Sequence, residues 1–279
     1  MEKTISLITA FVISVLCAAS LIGCEKPTPA SDAVSVGAPM KYIIHGAGVM
    51  HGHDTYNQPF DFTCSNSAEG LAQCAEAGAP VIELDFSFTS DGRLVCIHDW
   101  YHMYAEEIEN DVALTHDEFK NVKIYRQYTP LDIEDVAEYM REHDYVYIVT
   151  DIKDDNIAGL TAIAELCPDL KDRFIAQIYS ADEYDKVREL GFDNIIYTLY
   201  RLTWNEKTDT AALAEFAKKH RLVGYTFAAE LCDKDGYVDG MKKAGVPLFI
   251  HTIDGAEEQQ KYFDMGIDGI YTNEVIGVR

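Results

Sequence analysis

Residues 81–99 read Val81-Ile-Glu-Leu-Asp-Phe-Ser-Phe-Thr-Ser-Asp-Gly-Arg-Leu-Val-Cys-Ile-His-Asp99. Two apolar runs flank Asp91-Gly92, with no room between them for a helix, and Asp-Gly in that position is a hairpin signal. The first run carries Glu83 and Asp85 two residues apart, so in a strand both acids point to the same face. The second run returns His98 and Asp99 toward that pair. Outward from this block, short apolar runs recur at Tyr42–His45, Val146–Asp151, Phe174–Ile178, Ile195–Leu199, Val223–Phe227, Leu248–Thr252 and Gly269–Thr272. With Val81–Asp85 they make eight. Helix-like segments separate most of them: Ser67–Ala77, Ile133–His143, Ile157–Leu166, Ala181–Leu190, Asp209–His220, Gly236–Ala244 and Ala256–Met265. Strand alternating with helix implies a parallel sheet, because each crossover needs a helix to carry the chain back. Eight such units predict an α/β chain closed as a (β/α)8 TIM barrel, with the hairpin as an extra after strand two. The stretch from Trp100 to Tyr128 is rich in Tyr, His and acid and is expected to be an insertion capping the barrel mouth.

The 279 residues suit one large barrel domain, and 48% hydrophobic with 25% charged residues is the balance of a globular protein. Lys and Arg number 23 against 47 Asp and Glu, a net charge of −24. That field repels phosphate backbones and argues against nucleic acid as a partner, so an anionic substrate must be met by local cations. At the N-terminus, Thr4–Gly23 contain no charge and end in Leu21-Ile22-Gly23-Cys24, which looks like a bacterial lipobox. The expectation is a signal peptide over 1–23, lipidated Cys24, a Pro- and Ser-containing tether over 24–40, and a catalytic domain over 41–279. The protein would then be an exported lipoprotein, held by its lipid at the outer face of the cell membrane or at the outer membrane. Removing Cys17 and Cys24 leaves Cys64, Cys74, Cys96, Cys167 and Cys232. They show no zinc spacing, and buried free thiols are expected over a disulfide.

In a barrel of this kind, chemistry sits at the C-terminal strand ends. There the sequence places His45, Glu83 and Asp85, His98 and Asp99 on the hairpin, and Asp151 with Lys153. Glu83, Asp85 and Asp151 cannot all stay ionised together without compensation, and a divalent cation with oxygen ligands is the simplest. His45-Gly46, Ser65-Asn66-Ser67, Glu83-x-Asp85, Thr89-x-Asp91-Gly92, His98-Asp99, Asp151-x-Lys153 and Gly266-Ile-Asp-Gly-Ile-Tyr-Thr-Asn273 together resemble, in order and spacing, the glycerophosphodiester phosphodiesterase family. The resemblance implies a barrel related to phosphatidylinositol-specific phospholipase C that hydrolyses glycerol phosphodiesters with two histidines and Ca2+ or Mg2+. His45 and His98 match its catalytic histidines, taken here as base and acid respectively. Glu83, Asp85 and Asp151 match its metal ligands, with Asp151 where the family has Glu, and Lys153 matches its Lys.

The departures are informative. The family's His-Arg-Gly reads His45-Gly46-Ala47 here, so the Arg that would grip phosphate is missing, and His251-Thr-Ile-Asp254 stands where Trp-Thr-Val-Asn is usual. His51 and His53, in the loop after strand one, and Arg201, after strand five, are the replacement cations considered. Asp99 is expected to cap backbone amides or orient an imidazole, and Tyr101, Tyr104 and Tyr125 to pack in the insertion or stack on a substrate. Two competing readings are a catalytically silent binding lipoprotein on the same barrel and a phospholipase acting on intact lipid.

Overall fold

The computed structural model describes Val36 and residues 40–276. The leader, Cys24 and nearly all of the tether lie outside the described residues. In chain order the elements are β1 (Tyr42–Ile44), β2 (Met50–His53), β3 (Pro59–Phe62), α1 (Ala68–Ala77), β4 (Val81–Phe88), β5 (Leu94–Cys96), α2 (His116–Asn121), β6 (Leu131–Asp132), α3 (Ile133–Glu142), β7 (Tyr147–Ile152) and α4 (Asn156–Leu166). They continue with β8 (Phe174–Ile178), α5 (Tyr184–Glu189), β9 (Ile195–Thr198), α6 (Trp204–Thr208), α7 (Thr210–Lys219), β10 (Gly224–Ala228), α8 (Tyr237–Lys242), β11 (Leu248–His251), α9 (Ala256–Met265) and β12 (Gly269–Thr272).

Strands β1, β4, β7, β8, β9, β10, β11 and β12 pair in parallel, and β1 meets both β12 and β4, which closes the ring through Ile44 and Ile82. The expected eight-stranded barrel is therefore what forms. Strands buried on both faces read as continuous apolar runs, and seven of the eight residues of β4 are buried. Ile43, Val81, Val149, Ile175, Ile196 and Phe249 fill the barrel floor. Two residues further along the same strands stand His45, Glu83, Asp151, Gln177, Thr198 and His251, all lining a cavity at the mouth. Because side chains alternate with a period of two, the inward face passes from apolar to polar in a single step.

The Asp91-Gly92 turn joins β4 to an antiparallel β5, with Phe86 opposite Cys96, and β6 pairs on the far side of β5. The expected mouth-capping insertion is corrected. Residues 100–128 contribute nothing to the cavity lining. They build a second core beside the hairpin from Val95, Ile97, Tyr104, Ile108, Phe119, Ile124, Tyr125 and Tyr128. Tyr104 and Tyr125 are buried there, while Tyr101 is exposed. A second correction concerns the segment after β1, expected as a loop, which forms the β2–β3 hairpin and docks on this second core through Phe62. Two short helices, α2 and α6, also escaped the periodicity reading. Each is a single capped turn or little more, too short to show an apolar period, although Thr115/Glu118 and Thr203/Glu206 both form capping boxes. The five cysteines of the described residues are all buried and free.

Helix α3 starts at another box, in which Asp132 accepts from the Asp135 amide and Asp135 accepts from that of Asp132. Burial works to raise the Asp132 carboxyl, but the Asp135 amide, His116 and Lys120 outweigh it and hold its pKa at about 2. Asp132→Ala is expected to lower the unfolding free energy by about 1–2 kcal/mol at neutral pH, read by urea denaturation. A depressed carboxyl stabilises above its unfolded pKa, so the difference between the two proteins should shrink as pH falls from ~4 toward 2.

Candidate active site

The cavity has a volume of about 530 Å³ and is lined by His45, Glu83, His98, Asp99, Asp151 and Lys153 on one side and by Tyr200, Arg201, His251 and Tyr271 on the other. Register places Asp85 beside Asp151 on the neighbouring strands β4 and β7. Glu83, Asp85 and Asp151 each offer an oxygen within 4.8 Å of the others. Lys153 Nζ lies 2.7 Å from Asp85 Oδ1 and 3.0 Å from Asp151 Oδ2. Asp85 Oδ1 is fully enclosed and has no partner with hydrogen-bond geometry, the ammonium meeting it only as an ion pair. Three buried carboxylates against one ammonium leave two negative charges, which a divalent cation neutralises. The hard oxygen donors fit such an ion.

The charges show the same stress. Burial first, then Asp85 and Asp151, push the Glu83 carboxyl well above the ordinary carboxylate range. Asp151 moves the other way: burial is outweighed by Lys153 and by the hydroxyls of Tyr179 and Tyr200, which donate to its Oδ1 at 2.5 and 2.9 Å. Burial also disfavours the Lys153 ammonium, but the three carboxylates outweigh it and its pKa rises.

His45 follows β1 directly. Its Nδ1 is 2.9 Å from Asn273 Oδ1, and Asn273 Nδ2 donates to Asp254 Oδ2 at 2.7 Å, which fixes the amide so that Oδ1 accepts from His45. The working nitrogen of His45 is therefore Nε2. Burial lowers the His45 pKa, but the Cys64 sulfur, the Asp85 charge and Asn273 together raise it to about 9. The Asp85 contribution comes from a carboxylate whose charge a bound cation would neutralise. His98 Nδ1 bonds to Asp99 Oδ2, and the ring of Tyr104 stacks near His98. Asp99 thus sits against an imidazole rather than capping backbone amides.

Of the replacement cations, Arg201 reaches the cavity wall, where its guanidinium lies 3.6 Å over the Tyr179 ring and donates to the Ile152 carbonyl at 2.6 Å. His51 and His53 do not reach it. Both stand on β2 of the outer hairpin, His51 paired with Asp61 at 2.6 Å, because the β2–β3 strands carry the chain away from the mouth.

The sequence profile of the glycerophosphoryl diester phosphodiesterase family matches residues 51–276. The chain belongs to that family. It is therefore a phosphodiesterase, and because the match begins after His45, the place of that residue at the mouth rests on the structure. A glycerophosphodiester phosphodiesterase of Caldanaerobacter subterraneus is 26% identical over 241 residues, covering 81% of this chain and 93% of the relative. Among solved structures, a glycerophosphodiester phosphodiesterase of Thermotoga maritima superposes with TM-score 0.63 at 20% identity, over 85% of this chain and 95% of that one. A phosphodiesterase of Oleispira antarctica, solved with the product sn-glycerol-3-phosphate, superposes with TM-score 0.60 at 15% identity over 84% and 92%.

The residue after His45, where the resemblance leads one to expect Arg, has no room for a side chain in this backbone. Gly46 has φ +54°, and a Cβ on it would lie 2.5 Å from Cys64 Cα, so no side chain fits while its N–H donates to Glu83 Oε2 at 2.8 Å. Sequence reasoning missed the roles of Tyr179 and Tyr200. Their position just past the ends of β8 and β9 was the available signal. His251, noted only as a departure, is a neutral wall of the cavity: burial, then the nearby His45, lowers its pKa to about 4. Gly46→Ala is expected to cost about 1–3 kcal/mol of stability and to weaken divalent-cation binding. Gly78→Ala isolates the positive-φ cost, since Gly78 has φ +69° with nothing within 4 Å of a Cβ. Equal melting temperatures for the two variants would contradict the steric account.

Proposed function

We propose that this phosphodiesterase hydrolyses glycerophosphodiesters, with His45 and His98 as its proton-transfer pair and Glu83, Asp85 and Asp151 as holders of a divalent cation, Ca2+ or Mg2+. What carries the reading is the convergence of these five side chains and Lys153 on one barrel mouth. Cleaving a phosphodiester requires a base for the attacking hydroxyl, an acid for the departing alkoxide, and positive charge at the non-bridging oxygens. Asn273 holds the Nδ1 proton of His45, and a bound cation that neutralises Asp85 would remove part of what raises the His45 pKa and leave Nε2 to accept a proton, which suits the base. Asp99 holds Nδ1 of His98 and orients its ring, which leaves Nε2 for the leaving oxygen and suits the acid. Lys153 places a fixed ammonium beside the phosphate, and a divalent cation held by the three acids supplies further positive charge to the phosphoryl oxygens. The attacking hydroxyl comes from water or from the glycerol itself. With Gly46 in the Arg position, Lys153 is left to grip the phosphate, and Arg201 extends that grip along the wall.

Histidine substitutions test the roles. His45→Ala and His98→Ala should each lower turnover of glycerophosphocholine by about 10²–10⁴ while leaving the fold intact, and chelator should abolish activity. A diester with an acidic phenol as leaving group needs little protonation, so His98→Ala should be far less damaging on it than His45→Ala. Equal losses on both substrates would overturn the role assignment, and full activity of metal-free protein would overturn the cation.

We further propose that the mature chain begins at lipidated Cys24 and works outside the cytoplasm, a reading that rests on Leu21-Ile22-Gly23-Cys24 and the tether-like composition after it. Cys24→Ala should leave unprocessed or untethered protein. Unchanged mass and membrane fractionation would refute the anchor.

A further inference from the structure

Each of the three acids at the mouth is held at one of its two oxygens by neutral donors, Lys153 engaging the second oxygen of Asp85 and of Asp151. Glu83 Oε2 accepts the Gly46 amide at 2.8 Å, and Asp85 Oδ2 accepts Asn66 Nδ2 at 2.8 Å. The Asn66 amide is itself locked, since its Oδ1 accepts from the Asp85 backbone N–H at 3.0 Å. Asp151 Oδ1 accepts two phenols, from Tyr179 and Tyr200. What remains is a single oxygen per carboxylate: Glu83 Oε1, Asp85 Oδ1 and Asp151 Oδ2. The last two are the oxygens that Lys153 Nζ touches, which marks them as the pair facing the shared positive charge. Glu83 and Asp85 are buried, and Asp151 is 9% exposed, so water cannot readily replace the donors that hold their outer oxygens.

We infer that this set of clamps, and the Tyr179–Tyr200 pair in particular, selects a small octahedral cation of the Mg2+ class over Ca2+. The inference rests on the cation site of the preceding reading and adds its selectivity. Ca2+ takes six to eight oxygens and commonly uses carboxylates with both oxygens, whereas Mg2+ takes six, one from each carboxylate, and fills the rest with water or substrate oxygen. Using Asp151 through both oxygens would mean breaking the buried hydrogen bond from Tyr179 and the half-buried one from Tyr200, a cost that falls on an ion that takes the carboxylate by both oxygens. The clamp also suits the shorter acid. With Asp rather than Glu at position 151, the carboxylate is short enough to sit under the two hydroxyls, which come from the strand ends of β8 and β9 and not from its own strand. Tyr179 and Tyr200 act here as positioning residues: they hold a ligand's orientation and need not touch the substrate.

The test is calorimetric titration of the full-length, chelator-stripped protein with Mg2+, Mn2+ and Ca2+ chlorides, which reads affinity without reference to turnover. The wild type should bind Mg2+ and Mn2+ more tightly than Ca2+. Tyr179→Phe/Tyr200→Phe frees Asp151 Oδ1 and should move the Ca2+-to-Mg2+ affinity ratio toward Ca2+ by about tenfold. Tyr200 stands at the rim with 37% exposure, so Tyr200→Phe alone should fold and give a smaller shift in the same direction. A wild type that binds Ca2+ as tightly as Mg2+ or more tightly, or a ratio unmoved in the variants, would overturn the selectivity and leave the phosphodiesterase reading standing. A wild type that binds none of the three ions would overturn the cation site itself.

Discussion

Holding three carboxylates together inside a protein is the constraint around which this mouth is organised. Glu83, Asp85 and Asp151 come within 4.8 Å of one another where little water reaches to screen them. Nothing in a β-strand favours that, since like charges in a poorly polarisable interior repel strongly and each loses its hydration. The surrounding structure reads as the answer to this repulsion. Lys153 supplies positive charge from two residues beyond Asp151, and Gly46, Asn66, Tyr179 and Tyr200 supply hydrogen bonds. These donors come from five different places in the chain. The backbone turn after His45 is shaped by the same need, because the amide that reaches Glu83 belongs to a residue in left-handed conformation pressed on the Cys64 backbone.

That turn links the acid cluster to the histidines. His45 precedes Gly46, so the contact that steadies Glu83 also sets where the His45 ring begins, and Asn273 and Asp254, which follow the neighbouring strands β12 and β11, complete its support. His98 is placed by different means. It rides on the β4–β5 hairpin, whose register returns the chain to the level of Asp85, and Tyr104 of the second core stacks beside it. The insertion therefore serves the site indirectly, by backing the strand that carries His98. Its aromatic packing continues outward from Tyr104 to Tyr125 and Phe62, which ties the outer hairpin to the same support.

Much of the architecture was legible along the chain. Buried parallel strands leave uninterrupted apolar runs, and eight of them separated by helical stretches leave few alternatives to a closed barrel. Glu83 and Asp85 at a spacing of two, the Asp91-Gly92 turn, and polar residues at successive strand ends locate the mouth along the chain alone. Short features were lost because they have no period to read. His116–Asn121 and Trp204–Thr208 each span too few residues to display an apolar face, and the β2–β3 hairpin is largely exposed, so its strands carry little apolar signal.

The sequence by itself determined the barrel, the identity of the acids and histidines at its strand ends, and the register that faces Glu83 and Asp85 inward, because each follows from local periodicity and from neighbours along one strand. Only the tertiary structure decided which groups satisfy them. Tyr179 and Tyr200 reach Asp151 from 28 and 49 residues away, and Asn273 reaches His45 across 228. His51 and His53, close to His45 in sequence, stand outside on a hairpin. The physical reason is the same in each case. Ring closure brings strand ends together regardless of their separation along the chain, so a donor's distance in sequence says nothing about its distance in space.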